Sequence, residues 1–146
     1  MTTHLRTSLR DAMATAVTGL TSTGSRVHKS RLYPVAADAL PCLLVACGEQ
    51  EQIQQESNYI QQRTLLMTVR GMAKATGDLD AALNQIALEV EAAVQAAGVL
   101  GGKVDDVTLI EIRTDVDDSM DKPVGVIELT YRLIYFTVAG AAGANA

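Results

Sequence analysis

Apolar residues recur every three or four positions near the start of the chain: Leu5, Leu9, Met13, Val17 and Leu20, with Ala12 and Ala16 beside them. That period predicts an amphipathic helix ending near Gly19, with Thr2 or Thr3 available as its N-cap. RVHKSRLYP predicts a short polar strand or extended connector stopped by Pro34, and the continuous apolar run CLLVACG predicts a strand covered on both faces. Residues 49–58, EQEQIQQESN, hold one apolar side chain, Ile53, and read as a solvated excursion between strands. From Tyr59 to Lys74 the chain alternates, with Arg63, Leu65, Met67 and Val69 on one face and Thr64, Leu66, Thr68 and Arg70 on the other. Asp78 then caps a second helix striped by Leu79, Leu83, Ile86, Val90, Val94 and Ala97, and Gly98 stops it. VDDVTLIEIRT predicts a strand, DVDDSMDKP an acidic turn, and residues 124–138, VGVIELTYRLIYFTV, a final long strand.

The order α-β-β-β-α-β-β predicts an α/β chain of the α+β kind: an antiparallel or mixed sheet of four to five strands with both amphipathic helices on one face. Residues 1–138 form one domain in this reading. Residues 139–146, rich in alanine and glycine, form a tail that is flexible unless a neighbour holds it. The last strand poses a question of length. Unbroken, it reaches about 50 Å, whereas a chain of this size folds to a diameter near ~40 Å. Strand ends that outrun their own core leave backbone edges that something must cover.

Composition narrows the chemistry. The chain has 146 residues, no tryptophan, one phenylalanine and four tyrosines, so its core is expected to be aliphatic. Net charge is −5, and no cluster of Lys and Arg interleaved with aromatics marks a nucleic-acid surface. The first residues lack a signal-type apolar run and no segment approaches about 18 apolar residues, which predicts a soluble chain that stays where it is made. Cys42 and Cys47 lie an odd number apart on one strand, hence on opposite faces, and are expected to be small buried hydrophobes rather than a bridge.

Candidate catalytic or metal-binding groups are sparse. His4 and His28 have no carboxylate or cysteine at ligand spacing. Asp115, Asp117 and Ser119 mimic the start of a calcium loop, but Met120 stands where the turn needs glycine and Val126 where a bidentate glutamate belongs. The glycines of GVLGG lack the strand-turn-helix context of a phosphate cradle. No nucleophile-base pair or paired carboxylates emerge, so the expectation is a protein without enzymatic activity, cofactor or metal. The final strand does carry a half-polar face, with Glu128, Thr130 and Arg132 opposite a wholly apolar one. That face either lies in water or meets another subunit.

Five stretches together resemble the tail terminator proteins of long-tailed bacteriophages, the U-type minor tail proteins, and more loosely the neck and tail-completion proteins. They are LRTSLRDAM, YPVAADALPCLLVACGE, RTLLMTVRG, the helix introduced by DLD, and LTYRLIYFT, in that order and spacing. The resemblance implies a structural virion protein that forms a six-membered ring on the head-proximal end of the tail tube. Such a ring stops tube polymerisation and offers a docking surface to the head connector or neck. Its implied partners are further copies of itself, the tube protein and the neck protein; DNA passes through the lumen without specific binding, and no membrane is involved. Candidate partner surfaces are Glu49, Gln50, Glu51, Gln54, Gln55 and Glu56 in the 49–58 segment, Asp115, Asp117 and Asp118 in the acidic turn, and Arg70, Glu128 and Arg132 on the sheet. Arg70 departs from the acidic residue more usual at its position, and the alanine-glycine tail runs past the usual end. The alternatives are a head-tail joining or tail-completion protein of the same fold, and a dimeric module that binds a small molecule.

Overall fold

The computed structural model describes residues 3–29, 40–74, 77–117 and 124–146. Helix α1 spans Leu5–Ala16 and buries Leu5, Leu9, Met13 and Ala14. Its N-cap is His4 rather than a threonine: the imidazole Nδ1 accepts a hydrogen bond from the Arg6 amide at 3.0 Å. An imidazole nitrogen can satisfy an orphan amide of the first turn as a hydroxyl does. Helix α2, Leu79–Ala97, begins as its sequence predicts, with the Asp78 side chain accepting from the Ala81 amide at 3.1 Å. It ends at Gly98, whose φ of 60° suits a residue without a Cβ.

The strands are β1 (Val27–His28), β2 (Cys42–Ser57), β3 (Ile60–Lys74), β4 (Asp106–Asp117) and β5 (Val124–Val138), in the spatial order β1-β2-β3-β5-β4. Only β1 pairs in parallel, so the sheet is mixed and five-stranded. Both helices cover the same face, α1 over β2 and α2 over β3 and β5. Beneath them Leu43, Val45, Leu65, Met67, Val69, Ile127, Leu129 and Leu133 form one aliphatic core with the helix stripes. Close approach of α2 requires Gly71, where a Cβ would sit 2.7 Å from Ile86 Cγ2.

Residues 49–57, expected as a solvated excursion, are strand. β2 runs on through a register shift between Cys47 and Glu51 and reverses into β3 through Asn58 and Tyr59, both at positive φ (43° and 71°). Its polar side chains hide the strand from a pattern reading, because most of them face solvent and leave no apolar alternation; the pairing with β3 supplies the backbone hydrogen bonds.

The long last strand does not outrun its subunit. β5 pairs with β3 from Val124 to Val138, and its helix-side residues stay buried as far as Thr137. Part of the cover at that end comes from the chain's own C-terminal residues. The Leu5 amide donates to the Ala142 carbonyl at 2.9 Å, the Ala146 amide to Phe136 at 3.0 Å, and the Asn145 side chain to the Lys103 carbonyl at 2.8 Å. Backbone groups do most of this work, which a segment without bulky side chains does not advertise. Among the described residues no helix is long and apolar enough to cross a membrane.

Candidate interaction surfaces

Both helices lie on one face of the sheet, and among the described residues the side chains of the other face run from buried at one end to half-buried or exposed along the rest. At one end Cys42, Leu44, Met72 and Val124 bury themselves against Leu40 and Val126. Farther along, Leu66 (38% exposed), Ile134 and Phe136 alternate with Thr64, Thr68, Thr130 and Arg132. Register places Leu66 and Thr108 on either side of Arg132. Arg132 Nε is buried with no hydrogen-bond partner among the described residues. Glu128 does not serve it. Its carboxylate accepts from Arg70 directly across the β3–β5 ladder, at 2.8 Å from one guanidinium nitrogen and 3.2 Å from Nε. Glu128 and Arg132 share this face, as the alternation of the strand predicts, but the ion partner of Glu128 is Arg70 rather than Arg132.

The distal half of β2 holds Glu49, Gln50, Gln54, Gln55 and Glu56 in solvent. Glu51 departs from that group. Its side chain is 5% exposed and faces the helix side, where its Oε2 accepts from Arg63 at 3.0 Å and its Oε1 from the Tyr135 hydroxyl. Arg63, itself buried, also donates from Nε to Thr137 Oγ1 at 2.8 Å. Burial, then the Glu51 carboxylate, pushes the Tyr135 phenol well above its ordinary range. The signal was present in the sequence: Arg63 shares a face with Leu65, Met67 and Val69, and a cation on a buried face demands an anion. Which anion supplies it depends on the register shift after Cys47.

Asp115 is exposed and accepts from the Val116 amide at 2.8 Å. Asp117 ends β4, and Asp118 lies outside the described residues. Cys42 and Cys47 fall on opposite faces and are not joined in a disulfide, and the Cys47 thiol donates to the Arg6 carbonyl at 3.5 Å; burial raises the Cys42 pKa to about 11, and raises that of Cys47 despite nearby Arg6.

Two further concavities flank the helix layer. One, of about 530 Å³, lies between α1 and the β2 edge and is lined by His4, Arg6, Arg10 and Lys29, with Ala46 and Cys47 at the sheet. The other, of about 270 Å³, lies between α2 and β4, with Glu91, Gln95 and Asp106 on its walls and Leu109 and Tyr131 at the sheet. Tyr131 is 3% exposed, and its hydroxyl has no partner among the described residues. Burial, with Glu91 adding to it, raises its pKa to about 12. Among the described residues no group of three or more His, Cys, Asp or Glu is placed to hold a metal ion. No protein-family model matches the sequence, and no curated protein matches it.

Proposed function

We propose that this chain is a structural subunit of a bacteriophage tail, acting without catalysis or cofactor. It forms a six-membered ring at the head-proximal end of the tail tube, ends tube polymerisation and presents a docking surface to the neck. The observation that carries the reading is the half-exposed sheet face away from the helices, where Leu66, Ile134 and Phe136 share a side with Arg132, whose Nε no described group satisfies. A buried donor left without an acceptor costs about 1–3 kcal/mol, and a partner's carboxylate or carbonyl would remove that cost. The resemblance in the order of five sequence stretches supplies the assembly to which such a face belongs. The net charge of −5 fits a lumen through which DNA slides, since a basic lining would hold phosphates by counterion release.

The test is disruption of the reading frame in the replicon that carries it, followed by negative-stain electron microscopy of the particles. Overlong tubes detached from filled heads are the expected result. Tails of normal length beside unattached heads would instead make it a joining or completion protein. Intact infectious particles would refute both. In the same system Arg132→Glu is expected to leave a folded subunit and give the tail defect of the disrupted frame.

A further inference from the structure

The two concavities beside the helix layer are opposite in charge and share one level of the fold. Cys47, at the floor of the first, pairs with Met67; Met67 pairs with Tyr131, and Tyr131 with Leu109 at the floor of the second. The concavities therefore sit at the two ends of one row of the sheet, on the same face. Among its described lining residues the first has three cations, Arg6, Arg10 and Lys29, and no carboxylate; Asp11 beside it bonds Arg10 at 3.2 Å and Lys29 at 3.3 Å. Arg6 spends its guanidinium on the Gly48 carbonyl at 3.0 Å, not on an anion. The second has two carboxylates, Glu91 and Asp106, and no cation among its described lining residues. It also contains the one buried tyrosine hydroxyl that the described residues leave without a partner.

We infer that the α1 edge of one copy docks into the α2–β4 groove of the next, its cations meeting Glu91, Asp106 and the Tyr131 hydroxyl. The inference rests on the oligomeric part of the proposed function and names its contact. Because the two patches differ and lie at opposite ends of the sheet, the contact is head-to-tail, the kind that closes into a ring when the rotation per copy permits. β4 suits such a boundary. It is an edge strand on which Ile110, Ile112 and Val116 are exposed between charged residues, so a partner there meets both apolar area and charge. A guanidinium entering the groove supplies donors to both carboxylates and to the phenol oxygen, the acceptors that lack a cation there.

The experiment measures association of the full chain by analytical ultracentrifugation across concentration and salt, with circular dichroism as a check on folding. Three variants serve: Arg10→Glu with Lys29→Glu, Glu91→Arg with Asp106→Arg, and Tyr131→Phe. The wild type is expected to self-associate more weakly as salt rises. Either charge-reversed variant alone should stay monomeric, while a one-to-one mixture of the two should reassemble, because every contact then joins opposite charges. Tyr131→Phe, which removes an unpartnered hydroxyl, should leave the melting temperature unchanged or higher and weaken association about fivefold. Undiminished association of both reversed variants would overturn this contact and leave the ring reading standing, since that reading is judged by tail length. A wild type that is monomeric at every concentration would overturn the contact whatever the tails look like.

Discussion

Glu51 and Arg63 show how one pair can organise the far end of this fold. Their side chains are 5% and 10% exposed, and Tyr135 and Thr137, both fully buried, complete the group. Removing one member of a buried ion pair strands the other charge in low dielectric, which costs about 3–5 kcal/mol. Glu51→Ala is therefore expected to lower stability in urea by about 3 kcal/mol, because Arg63 keeps its bonds to Thr137 and to Gln61. Adding Arg63→Met should restore most of the loss; a loss below about 1 kcal/mol for Glu51→Ala would mean that solvent reaches the pair. Glu89 makes a gentler link, between α2 and the loop after α1. Partial burial works against its charge, but the bonds it accepts from the Ser22 hydroxyl at 2.6 Å, the Ser22 amide at 2.8 Å and Gln85 at 2.9 Å outweigh this and lower its pKa from 4.5. A carboxyl whose pKa is lowered by folding adds stability that is full above its unfolded pKa and disappears as pH falls through the folded one. Glu89→Gln should thus cost about 1 kcal/mol at neutral pH, with the difference from wild type shrinking below pH 4.5 in urea titrations run across pH.

Among the elements, the sequence announces those whose apolar residues carry a period and conceals those held by backbone alone. The stripe from Leu79 to Val94 and the cap at Asp78 made α2 legible, and the alternation from Val124 to Thr137 made β5 legible. The distal half of β2 gave no such sign, since its side chains from Gln52 to Ser57 are all exposed, and its turn lacks the Asn-Gly pair that marks a two-residue hairpin. Tyr59 occupies the position where glycine is favoured, at φ 71° and 74% exposed. A left-handed conformation costs a non-glycine residue roughly 1–2 kcal/mol, partly balanced by the entropy that glycine loses on folding. Tyr59→Gly should therefore raise stability by about 0.5–1 kcal/mol in thermal or urea unfolding. A fall instead would show that the tyrosine ring contributes packing that outweighs the backbone strain.

For the whole molecule, the length of β5 ceases to be a puzzle once the ends of the chain are seen to meet. The candidate surfaces were legible as residue types, but their grouping was not: Glu51 turned inward, Glu128 went to Arg70, and the opposed charges at the two ends of one sheet row depend on strand order. The C-terminal residues were legible only as a stretch with nothing to bury. Yet Ala142 accepts from the first residue of α1, Ala139 donates to Tyr59 at 2.7 Å, and Asn145 reaches the loop before β4. These bonds join the start of the helix layer, the β2–β3 turn and the approach to β4, so the last residues act as a strap across the end of the sheet. Ending the chain after Val138 should remove them together and open the buried cluster around Tyr135 to water. At about 0.5–1 kcal/mol for each of several partly exposed hydrogen bonds, the loss is about 2 kcal/mol, or a fall of roughly 6 °C in Tm for a domain of this size. Hydrogen exchange should speed at the Leu5 amide and across residues 135–137, while the amides of the central β3–β5 ladder lose protection only in step with global stability. An unchanged Tm together with unchanged exchange at Leu5 would mean that the strap contributes nothing to the folded state, and the covered end of β5 would then depend on the Glu51–Arg63 pair alone.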